Sequence, residues 1–375
     1  MRTEVRIYKN KFLLGIGVLS GEPGQPAYPD PMRVGVLTGG GDCPGTNAVL
    51  RAITRKVTAQ PGDSVVGFYD SWDGVLEQRA VELTTDVVRG IVSRGGTILG
   101  TRRGSPFDHA DGLERVRNAF DVHRLDGLIV IGGNGSLSVA AMLNEQIGLP
   151  VIGVPKTIDN DVVGTDATFG FQTAVQIATD AIDRLHTTAE SHDRIMVVEV
   201  MGRDAGWIAL HAGIAGAATA IAVPEKPFDI DELVRLVARR HDRGRYASVV
   251  VVAEGAMPIP GTLAVEEPVR DRYGHRQYGP IAQVIAPVLS ERTGYDARVT
   301  QLGYVQRGGT PTSYDRVLST RFGLAAVDAI RDGAFGQMVV LRCGRIERES
   351  LHVAKGATKC IDLDFLDDVS SSLFG

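Results

Sequence analysis

Continuously apolar segments alternate with helical periods along most of this chain. Several of these segments have strand composition and are apolar at every position. Strands of that kind are covered by helices on both faces, as in parallel sheets. The alternation therefore predicts an α/β fold. The predicted strands cover residues 33–37, 64–69, 127–131, 151–154, 195–200, 220–223, 248–253, 299–302 and 338–341.

The length of 375 residues exceeds what a single hydrophobic core usually organises. We expect two Rossmann-like three-layer α/β/α domains, with the active site in the cleft between them. Residues 1–31 differ from the rest, because basic residues and a short apolar run precede a Gly- and Pro-rich stretch. These residues lack the small-x-small cleavage site of a signal peptide. We therefore expect a disordered extension or an over-long gene start, with Met32 as the natural beginning.

The composition argues against several classes of protein. A net charge of −5 argues against general nucleic-acid binding, so any anion site must be a local cluster of basic residues. No apolar run is long enough to cross a bilayer. Three cysteines cannot all pair within the chain, which indicates a reducing cytoplasm. The expected partners are therefore small molecules, with no nucleic acid and no membrane.

Two carboxylates directly follow the predicted strand 151–154. The segment 155–161 reads Pro-Lys-Thr-Ile-Asp-Asn-Asp, so Asp159 and Asp161 lie two residues apart beside an amide. In open α/β sheets the carboxyl ends of the strands form the ligand site. One carboxylate there could take a proton from a hydroxyl while the other helps to hold a metal-bound phosphate. By itself the segment fits an acidic turn equally well, because Asp and Asn are common turn residues.

Three glycine-rich segments indicate a polyphosphate site. Residues 38–47 and 131–136 each follow a predicted strand, and the first of them opens a helix. Residues 95–104 form a third segment, which carries two arginines. Glycines let the backbone approach a phosphate closely, and a helix N-terminus adds amide donors. Neither the dinucleotide fingerprint nor a Walker loop occurs here, so the prediction is a nucleoside triphosphate or another polyphosphate.

Four arginines are predicted to lie at strand ends or in the loops after them, namely Arg194, Arg203, Arg298 and Arg307. Guanidinium groups bind a phosphomonoester in a bidentate way, so the set favours a phosphorylated, sugar-like substrate. Any single one of them could instead be a solvated surface charge. Glu225 follows Val-Pro and could accept hydrogen bonds from sugar hydroxyls, or be a charge close to the start of a helix.

These motifs, in this order, resemble the 6-phosphofructokinase family over residues 32–341. They read Gly-Gly-Asp-Cys-Pro-Gly, Gly-Gly-Thr-Ile-Leu-Gly, Pro-Lys-Thr-Ile-Asp-Asn-Asp, Gly-Thr-Asp-x-Thr-Phe-Gly, Val-Val-Glu-Val-Met-Gly-Arg and Gln-Arg-Gly-Gly. The lysine of the third motif, the helical stretch 181–192 and Gly206-Trp-Ile-Ala resemble the mixed-substrate subgroup of actinobacterial type. That subgroup contains ATP-dependent and pyrophosphate-dependent enzymes.

The resemblance implies roles for the matching positions. Asp159 would remove the proton from the sugar 1-hydroxyl, and Asp161 and Arg203 would complete the catalytic set. The phosphoryl donor would be bound by Gly40, Arg103, Gly104, Gly133, Asn134, Gly135 and Ser136. The sugar phosphate would be bound by Thr157, Ile158, Asp159, Arg194, Met201, Gly202, Arg203, Glu225, Arg298, Tyr304 and Arg307. Of these, Arg194 and Arg298 would serve the site of a neighbouring subunit, which implies a homodimer or homotetramer.

The resemblance also implies the domains and the cofactor. Residues 32–170 with about 306–360 would bind the phosphoryl donor, and residues 171–305 with the C-terminal segment would bind the sugar phosphate. The expected cofactor is Mg²⁺, held by Asp161 and Asn134. Here Asn134 replaces an acid that family members link to Mg²⁺, and Tyr304 replaces a histidine that faces the sugar phosphate.

Two positions bear on the choice of donor, with opposite implications. Gly135 leaves room for the α-phosphate of ATP, whereas aspartate at that position favours pyrophosphate in this family. Lys156 accompanies pyrophosphate use in many members, although ATP-dependent members of the subgroup share it. Gly135 is given the greater weight, so the expected donor is ATP.

We therefore expect a cytoplasmic, Mg²⁺-dependent kinase that uses ATP to convert fructose 6-phosphate to fructose 1,6-bisphosphate, the first committed step of glycolysis. The first alternative is pyrophosphate-dependent phosphotransfer to the same sugar. The second is a weakly active or non-catalytic relative that acts on or senses another sugar phosphate, because Asn134 carries no charge. A nicotinamide dehydrogenase would need the dinucleotide fingerprint that the glycine-rich segments lack.

Overall fold

The computed structural model describes residues 31–244, 247–270 and 276–374. Apart from Pro31, the predicted extension over residues 1–31 lies outside these ranges. The described residues from Met32 onward belong to one compact unit. None of the helices in the described ranges has the length and apolarity that crossing a membrane requires.

Strands and helices alternate along the described chain. The strands are Arg33–Thr38 (β1), Ser64–Phe68 (β2), Ala80–Glu82 (β3), Gly127–Gly132 (β4), Val151–Thr157 (β5), Phe169–Gly170 (β6), Ile195–Val200 (β7), Ala220–Ala222 (β8), Ser248–Ala253 (β9), Val269–Arg270 (β10), Arg276–Gln277 (β11), Ala297–Gln301 (β12), Gln337–Arg342 (β13) and Arg345–Ser350 (β14). The α-helices are Thr46–Val57 (α1), Trp72–Leu76 (α2), Gly112–His123 (α3), Asn134–Ile147 (α4), Phe171–His192 (α5), Trp207–Ala215 (α6), Ile230–Asp242 (α7), Ile281–Thr293 (α8), Ser313–Arg331 (α9) and Leu363–Leu373 (α10). Short 3-10 helices span Ile91–Ser93, Pro106–Asp108, Gly303–Arg307 and Leu351–Ala354.

The strands form two main sheets. The larger has the order β14-β13-β5-β4-β1-β2-β3, with β6 beside β5, and the smaller has the order β12-β7-β9-β8. In the larger sheet β13, β5, β4, β1 and β2 run parallel, and β14 and β3 are antiparallel at the two edges. All pairs of the smaller sheet are parallel. The carboxyl ends of the parallel strands therefore meet at one edge of each sheet, where ligands bind in open α/β folds.

Every strand that the sequence predicts is present, with ends shifted by a few residues at most. The apolar pattern does not predict the short strands β3, β6, β10 and β11, or the strand β14. β14 reads Arg-Ile-Glu-Arg-Glu-Ser and is largely exposed. An antiparallel edge strand of this kind has no continuous apolar run, so apolar patterning does not detect it.

Helices cover both faces of each sheet. Along β4, Ile129 and Ile131 lie in one buried cluster with residues of α1 and α9, and Leu128 and Val130 lie in another with residues of α3 and α4. Successive side chains of a strand point to opposite faces, so these clusters lie on opposite sides of the sheet. Residues of β7 divide in the same way between a cluster with α5 and α6 and a cluster with α7 and α8. This three-layer arrangement confirms the predicted fold class.

The first glycine-rich segment is held against the end of β6. The Cys43 thiol donates to the carbonyl of Phe169 at 3.0 Å. The next residue, Gly170, has φ 92, and a Cβ at this position would overlap Cys43 Sγ. A residue without a side chain is therefore required where the chain enters α5.

We expect Gly170→Ala to lower the free energy of unfolding by about 3 kcal/mol, because it adds a steric overlap to an unfavourable left-handed φ. Chemical denaturation measures the change. The matched control is Gly344→Ala, where φ is 79 and no described atom lies within 4 Å of an added Cβ. That control should lose only about 1 kcal/mol from backbone strain. Equal losses in the two variants would contradict the overlap.

Candidate active site

The three glycine-rich segments meet at the carboxyl ends of β1 and β4. The amide of Gly39 donates to the carbonyl of Ile131 at 2.9 Å, which joins the first segment to the second. The Thr101 hydroxyl donates to the carbonyl of Gly40 at 2.6 Å, which joins the third segment to the first. The three segments therefore lie side by side in the structure, and their binding of a polyphosphate stays a prediction.

The backbone at this meeting point is tightly packed around the glycines. A Cβ on Gly39 would overlap Ser136 Oγ and would lie 2.9 Å from Ser71 Oγ. Ser71 itself is buried and has φ 66 and ψ −136, a costly conformation for a residue with a side chain. Gly135 differs, because no described atom lies within 4 Å of a Cβ added there. The first turn of α4 is therefore open on the side of Gly135.

Four of the predicted donor residues lie at this opening. Asn134, Gly135 and Ser136 form the first turn of α4, and Gly133 immediately precedes them. A helix N-terminus presents free amide donors and a partial positive charge, which suit a phosphate. Arg103 and Gly104 belong to the third segment, and Arg103 is exposed.

Asp159 and Asp161 emerge from the end of β5, as the sequence predicts. Asp159 is buried and Asp161 is half-buried. Asn134 reaches Asp161 from the start of α4, and its side-chain amide donates to Asp161 Oδ2 at 2.9 Å and to the Asp161 carbonyl at 3.3 Å. The position that replaces the family's acid therefore supplies a hydrogen-bond donor to the second carboxylate.

Burial, followed by repulsion from Asp159, raises the pKa of the Asp161 carboxyl above its usual range. Arg203 and the Asn134 amide oppose this shift by stabilising the carboxylate form. The three residues expected to form the catalytic set thus interact electrostatically. A carboxylate at Asn134 would have added a third negative charge to the pair.

Lys156 lies inside the site and is almost fully buried, with 3% of its surface exposed. Its ammonium donates to the carbonyl of Gly41 in the first glycine-rich segment. Burial lowers the pKa of Lys156 to about 8, because the protein interior disfavours the charged form. The predicted donor-specificity residue is therefore a buried cation beside the backbone of that segment.

The loop that joins β7 to α6 contains Gly202 and Arg203 and is called the Arg203 loop. It is held by Glu254, a residue that the sequence patterns above do not single out. Glu254 follows β9 directly, and its Oε1 accepts from the amides of Arg203 at 2.9 Å and Gly202 at 3.3 Å. Burial raises the pKa of Glu254, and repulsion from Asp159 adds to the shift. A carboxylate soon after a buried strand is the same sequence signal as at Asp159, so the position of Glu254 is predictable from the sequence.

Glu225 accepts hydrogen bonds from backbone amides of two segments. Its two carboxylate oxygens accept from the amide of Gly206 at 2.9 and 3.0 Å, and Oε1 also accepts from the amide of Ile361 at 3.2 Å. These contacts match the alternative in which Glu225 is a charge at a helix start, because Gly206 precedes α6. Contact of Glu225 with a sugar hydroxyl stays a prediction, and Glu254 is a second candidate for it.

Two of the four arginines lie away from the end of β5. Arg194 precedes β7 and Arg298 lies near the start of β12, so the prediction that each lies at or after a strand end is wrong for both. Both pair with Asp296 at 2.9 Å. Arg203 follows the opposite end of β7, and the strand length separates the two edges by about 20 Å. Within one chain, Arg194 and Arg298 therefore cannot join Arg203.

Arg307 does reach the site. Its guanidinium lies 3.5 Å from the carbonyl of Asp42 and packs against Gly41. Arg307 follows β12 of the smaller sheet, and Asp42 follows β1 of the larger sheet. Their contact therefore bridges the carboxyl edges of the two sheets. Tyr304 is 82% exposed, so its side chain faces away from the protein interior.

The other sugar-binding candidates are held in place by contacts within the chain. Ile158 has its side chain in the hydrophobic core, so only its backbone can reach a ligand. The Thr157 hydroxyl accepts from the amide of Asp159 at 3.0 Å and thereby supports the turn. Met201 donates its amide to the buried side chain of Gln306 at 3.4 Å, which ties the Arg203 loop to the Arg307 segment.

A divalent cation fits the residues at the end of β5. Among the described residues, no group of three or more His, Cys, Asp or Glu forms a ready-made metal cluster. However, Asn134 Oδ1 and Asp159 Oδ1 are buried and accept no hydrogen bond from the described residues. Uncharged and carboxylate oxygens are the ligands that Mg²⁺ and its bound waters prefer. Asp161 and Asn134 could therefore hold Mg²⁺ with several waters retained.

We expect the stability of the wild type relative to a Lys156→Met variant to increase with pH. The folded-state pKa of Lys156, about 8, lies below the ordinary lysine value of 10.5, so the unfolded chain binds more protons between these values. The difference in the free energy of unfolding should rise by about 2 to 3 kcal/mol from pH 7 to pH 10. Chemical denaturation across this range measures it, and parallel pH profiles would contradict the burial of the ammonium.

Comparison with known proteins identifies the family. Residues 33–330 match the family model described as Phosphofructokinase. The chain is 53% identical over 330 residues to a Streptomyces coelicolor protein named ATP-dependent 6-phosphofructokinase 3, covering 88% of this chain and 96% of that protein. It is 51% identical over 338 residues to a protein of the same organism named pyrophosphate–fructose 6-phosphate 1-phosphotransferase, covering 90% and 98%.

A solved structure agrees with this result. The crystal structure of Pichia pastoris phosphofructokinase in the T-state has a TM-score of 0.77 and 31% identity, covering 96% of this chain and 38% of that chain. Relatives named for ATP and for pyrophosphate are both about half identical to the chain, as expected for the mixed-substrate subgroup. On the strength of its sequence matches and its fold, the chain belongs to the phosphofructokinase family.

Proposed function

We propose that this protein transfers the terminal phosphoryl group of ATP to the 1-hydroxyl of fructose 6-phosphate, forming fructose 1,6-bisphosphate in the cytoplasm as a step of glycolysis. The observation that carries the proposal is the pair Asp159 and Asp161 beside the meeting point of the three glycine-rich segments. This arrangement puts a proton acceptor next to a backbone suited to a polyphosphate. Close relatives named for this reaction support the same function.

Asp159 would accept the proton of the sugar 1-hydroxyl. Its Oδ1 is buried and accepts no hydrogen bond from the described residues, so a lone pair is available. Asp161 and Asn134 would hold Mg²⁺, which when bound neutralises charge on the transferring phosphoryl group. The amides at the start of α4 and Arg103 would bind the donor phosphates. The site thus acts by positioning and electrostatics, which is what phosphoryl transfer requires.

The sugar phosphate would lie between the two sheets, against the Arg203 loop. Arg203 follows β7 and Arg307 contacts the first glycine-rich segment, so both would supply cations at the carboxyl edges. Glu225 or Glu254 would accept from a sugar hydroxyl. We propose that residues 32–170 with about 306–360 bind the donor, and that residues 171–305 with the C-terminal segment bind the sugar. Arg194 and Arg298 would bind the sugar phosphate in the site of a second copy of the chain, and Tyr304 would contact the sugar phosphate.

A homodimer or homotetramer follows from that arrangement. Arg194 and Arg298 lie at the far edge of the smaller sheet from Arg203, so they can bind this substrate only across a subunit interface. In the single chain the Asp296 carboxylate pairs with both guanidinium groups and holds them together.

The space at Gly135 favours ATP as the donor. With no described atom within 4 Å of an added Cβ, a nucleotide can extend past this point. Pyrophosphate is the second candidate, because Lys156 places a buried cation beside the first glycine-rich segment. A relative named for pyrophosphate at 51% identity adds to this alternative.

Steady-state assays with fructose 6-phosphate and Mg²⁺, with ATP or pyrophosphate as donor, test the proposal. We expect turnover with ATP, and a loss of at least about 10-fold with ATP in Gly135→Asp, because a new charge would face the nucleotide phosphates. Gly135→Ala is the matched control and should keep its activity within about threefold, since there is room for a methyl group.

Turnover with pyrophosphate alone would refute the choice of donor and leave the acceptor chemistry intact. No turnover with either donor, but recovery of activity in Asn134→Asp, would refute the proposed activity for the natural chain. That result would support the non-catalytic alternative.

We expect Asp159→Asn to lower kcat by about 10²- to 10⁴-fold, because an amide cannot accept the hydroxyl proton. The KM for fructose 6-phosphate should change little, since the arginines supply most of the sugar-phosphate binding. Product formation at saturating substrates measures the loss. Asp367→Asn, at an exposed pair with Lys226, is the control. A kcat close to that of the wild type in Asp159→Asn would exclude it as the base.

A further inference from the structure

The segment before α10 connects the catalytic turn to the smaller sheet. The amide of Lys359 donates to the carbonyl of Asp161 at 2.8 Å, and the carbonyl of Lys359 accepts from Trp207 Nε1 at 2.8 Å. Two residues later, the amide of Ile361 donates to Glu225, which also holds the start of α6. The segment therefore spans from the end of β5 to the start of α6.

The side chain of Lys359 binds the same turn a second time. Its ammonium donates to Asn160 Oδ1 at 3.1 Å and to the carbonyls of Thr165 at 2.9 Å and Asp166 at 3.0 Å. The ammonium also lies 5.0 Å from the centre of the Trp207 ring, in a cation–π arrangement. All three ammonium protons are thus directed at acceptors of residues 160–166.

Asn160 is the residue between the two carboxylates. It has φ 52, the left-handed conformation, which turns the chain between Asp159 and Asp161. Its Oδ1 accepts from the amide of Thr168 at 3.0 Å as well as from Lys359. A charged donor strengthens a hydrogen bond, so Lys359 helps to keep Asn160 in this conformation.

We propose that Lys359 is a positioning residue that sets the distance and orientation of Asp159 and Asp161 by holding Asn160 and the Asp161 carbonyl. The proposal rests on the proposed function, in which Asp159 is the base. Lys359 lies almost two hundred residues from this turn in the sequence, and its contacts are with the turn and with Trp207.

The physical consequence is a specific kinetic effect. Proton transfer depends steeply on the placement of the base, and a displacement of about 1 Å can lower a rate by about 100-fold. Donor binding depends on the glycine-rich segments, and sugar binding depends on Arg203 and Arg307, none of which Lys359 contacts in the described hydrogen bonds. Loss of the ammonium should therefore lower kcat and leave both KM values nearly unchanged.

The experiment compares the full-length wild type with Lys359→Met, which keeps the length of the side chain and removes the ammonium. We expect kcat to fall by about 10- to 100-fold, with both KM values within about threefold. Lys359→Arg retains charge and donors and should recover at least part of kcat. Lys355→Met, four residues earlier at a surface pair with Glu145, is the matched control and should behave like the wild type.

The outcomes separate this inference from the proposed function. A wild type without turnover on either donor refutes the function itself. An active wild type with an unimpaired Lys359→Met variant, or with a variant changed in KM alone, overturns the positioning role. A variant changed only in thermal stability overturns it too.

If Lys359→Met does not fold, Trp207→Phe provides an independent test, because it removes the indole donor to the Lys359 carbonyl. A fall in kcat of about 3- to 10-fold with unchanged KM values would support the inference. An unchanged kcat in a folded Trp207→Phe variant would overturn it.

Discussion

Asp159 and Asp161 repel each other in a partly buried site, and the groups around the end of β5 reduce the free-energy cost of that repulsion. Arg203 approaches from the smaller sheet and the Asn134 amide from the start of α4, and both stabilise the Asp161 carboxylate. Arg203 follows a strand of the smaller sheet and both carboxylates follow β5 of the larger sheet, so this interaction exists only where the two sheets meet.

Asn134 places an amide where the family has an acid, and this changes the electrostatic repulsion around Asp159 and Asp161. An acid here would supply one more charge for a divalent cation, but it would also add repulsion to a carboxyl whose pKa is already raised. The amide instead donates to Asp161 and leaves Oδ1 free among the described residues. The chain thus keeps oxygen atoms suitable for a metal-bound water while its own carboxylates repel one another less.

Much of the site could be predicted from the sequence, because local chain order determines which residues come directly after each strand. The glycine-rich segments, the Asp159–Asp161 pair and Arg203 are examples, since parallel strands place their carboxyl ends at one edge. Glu254 carried the same signal and was missed. Arg194 and Arg298 were misplaced, because a basic residue near an apolar segment does not reveal which end of the strand it occupies.

The sequence by itself determined the α/β class and the apolar strands of the two main sheets, because apolar periodicity and glycine content act over a few residues. Only the tertiary structure decided which distant groups meet there. Lys359 approaches Asn160 from the far end of the chain, and Glu225 supports a helix start while Glu254 faces the Arg203 loop. Such contacts depend on packing between segments far apart in sequence, and no local pattern encodes them.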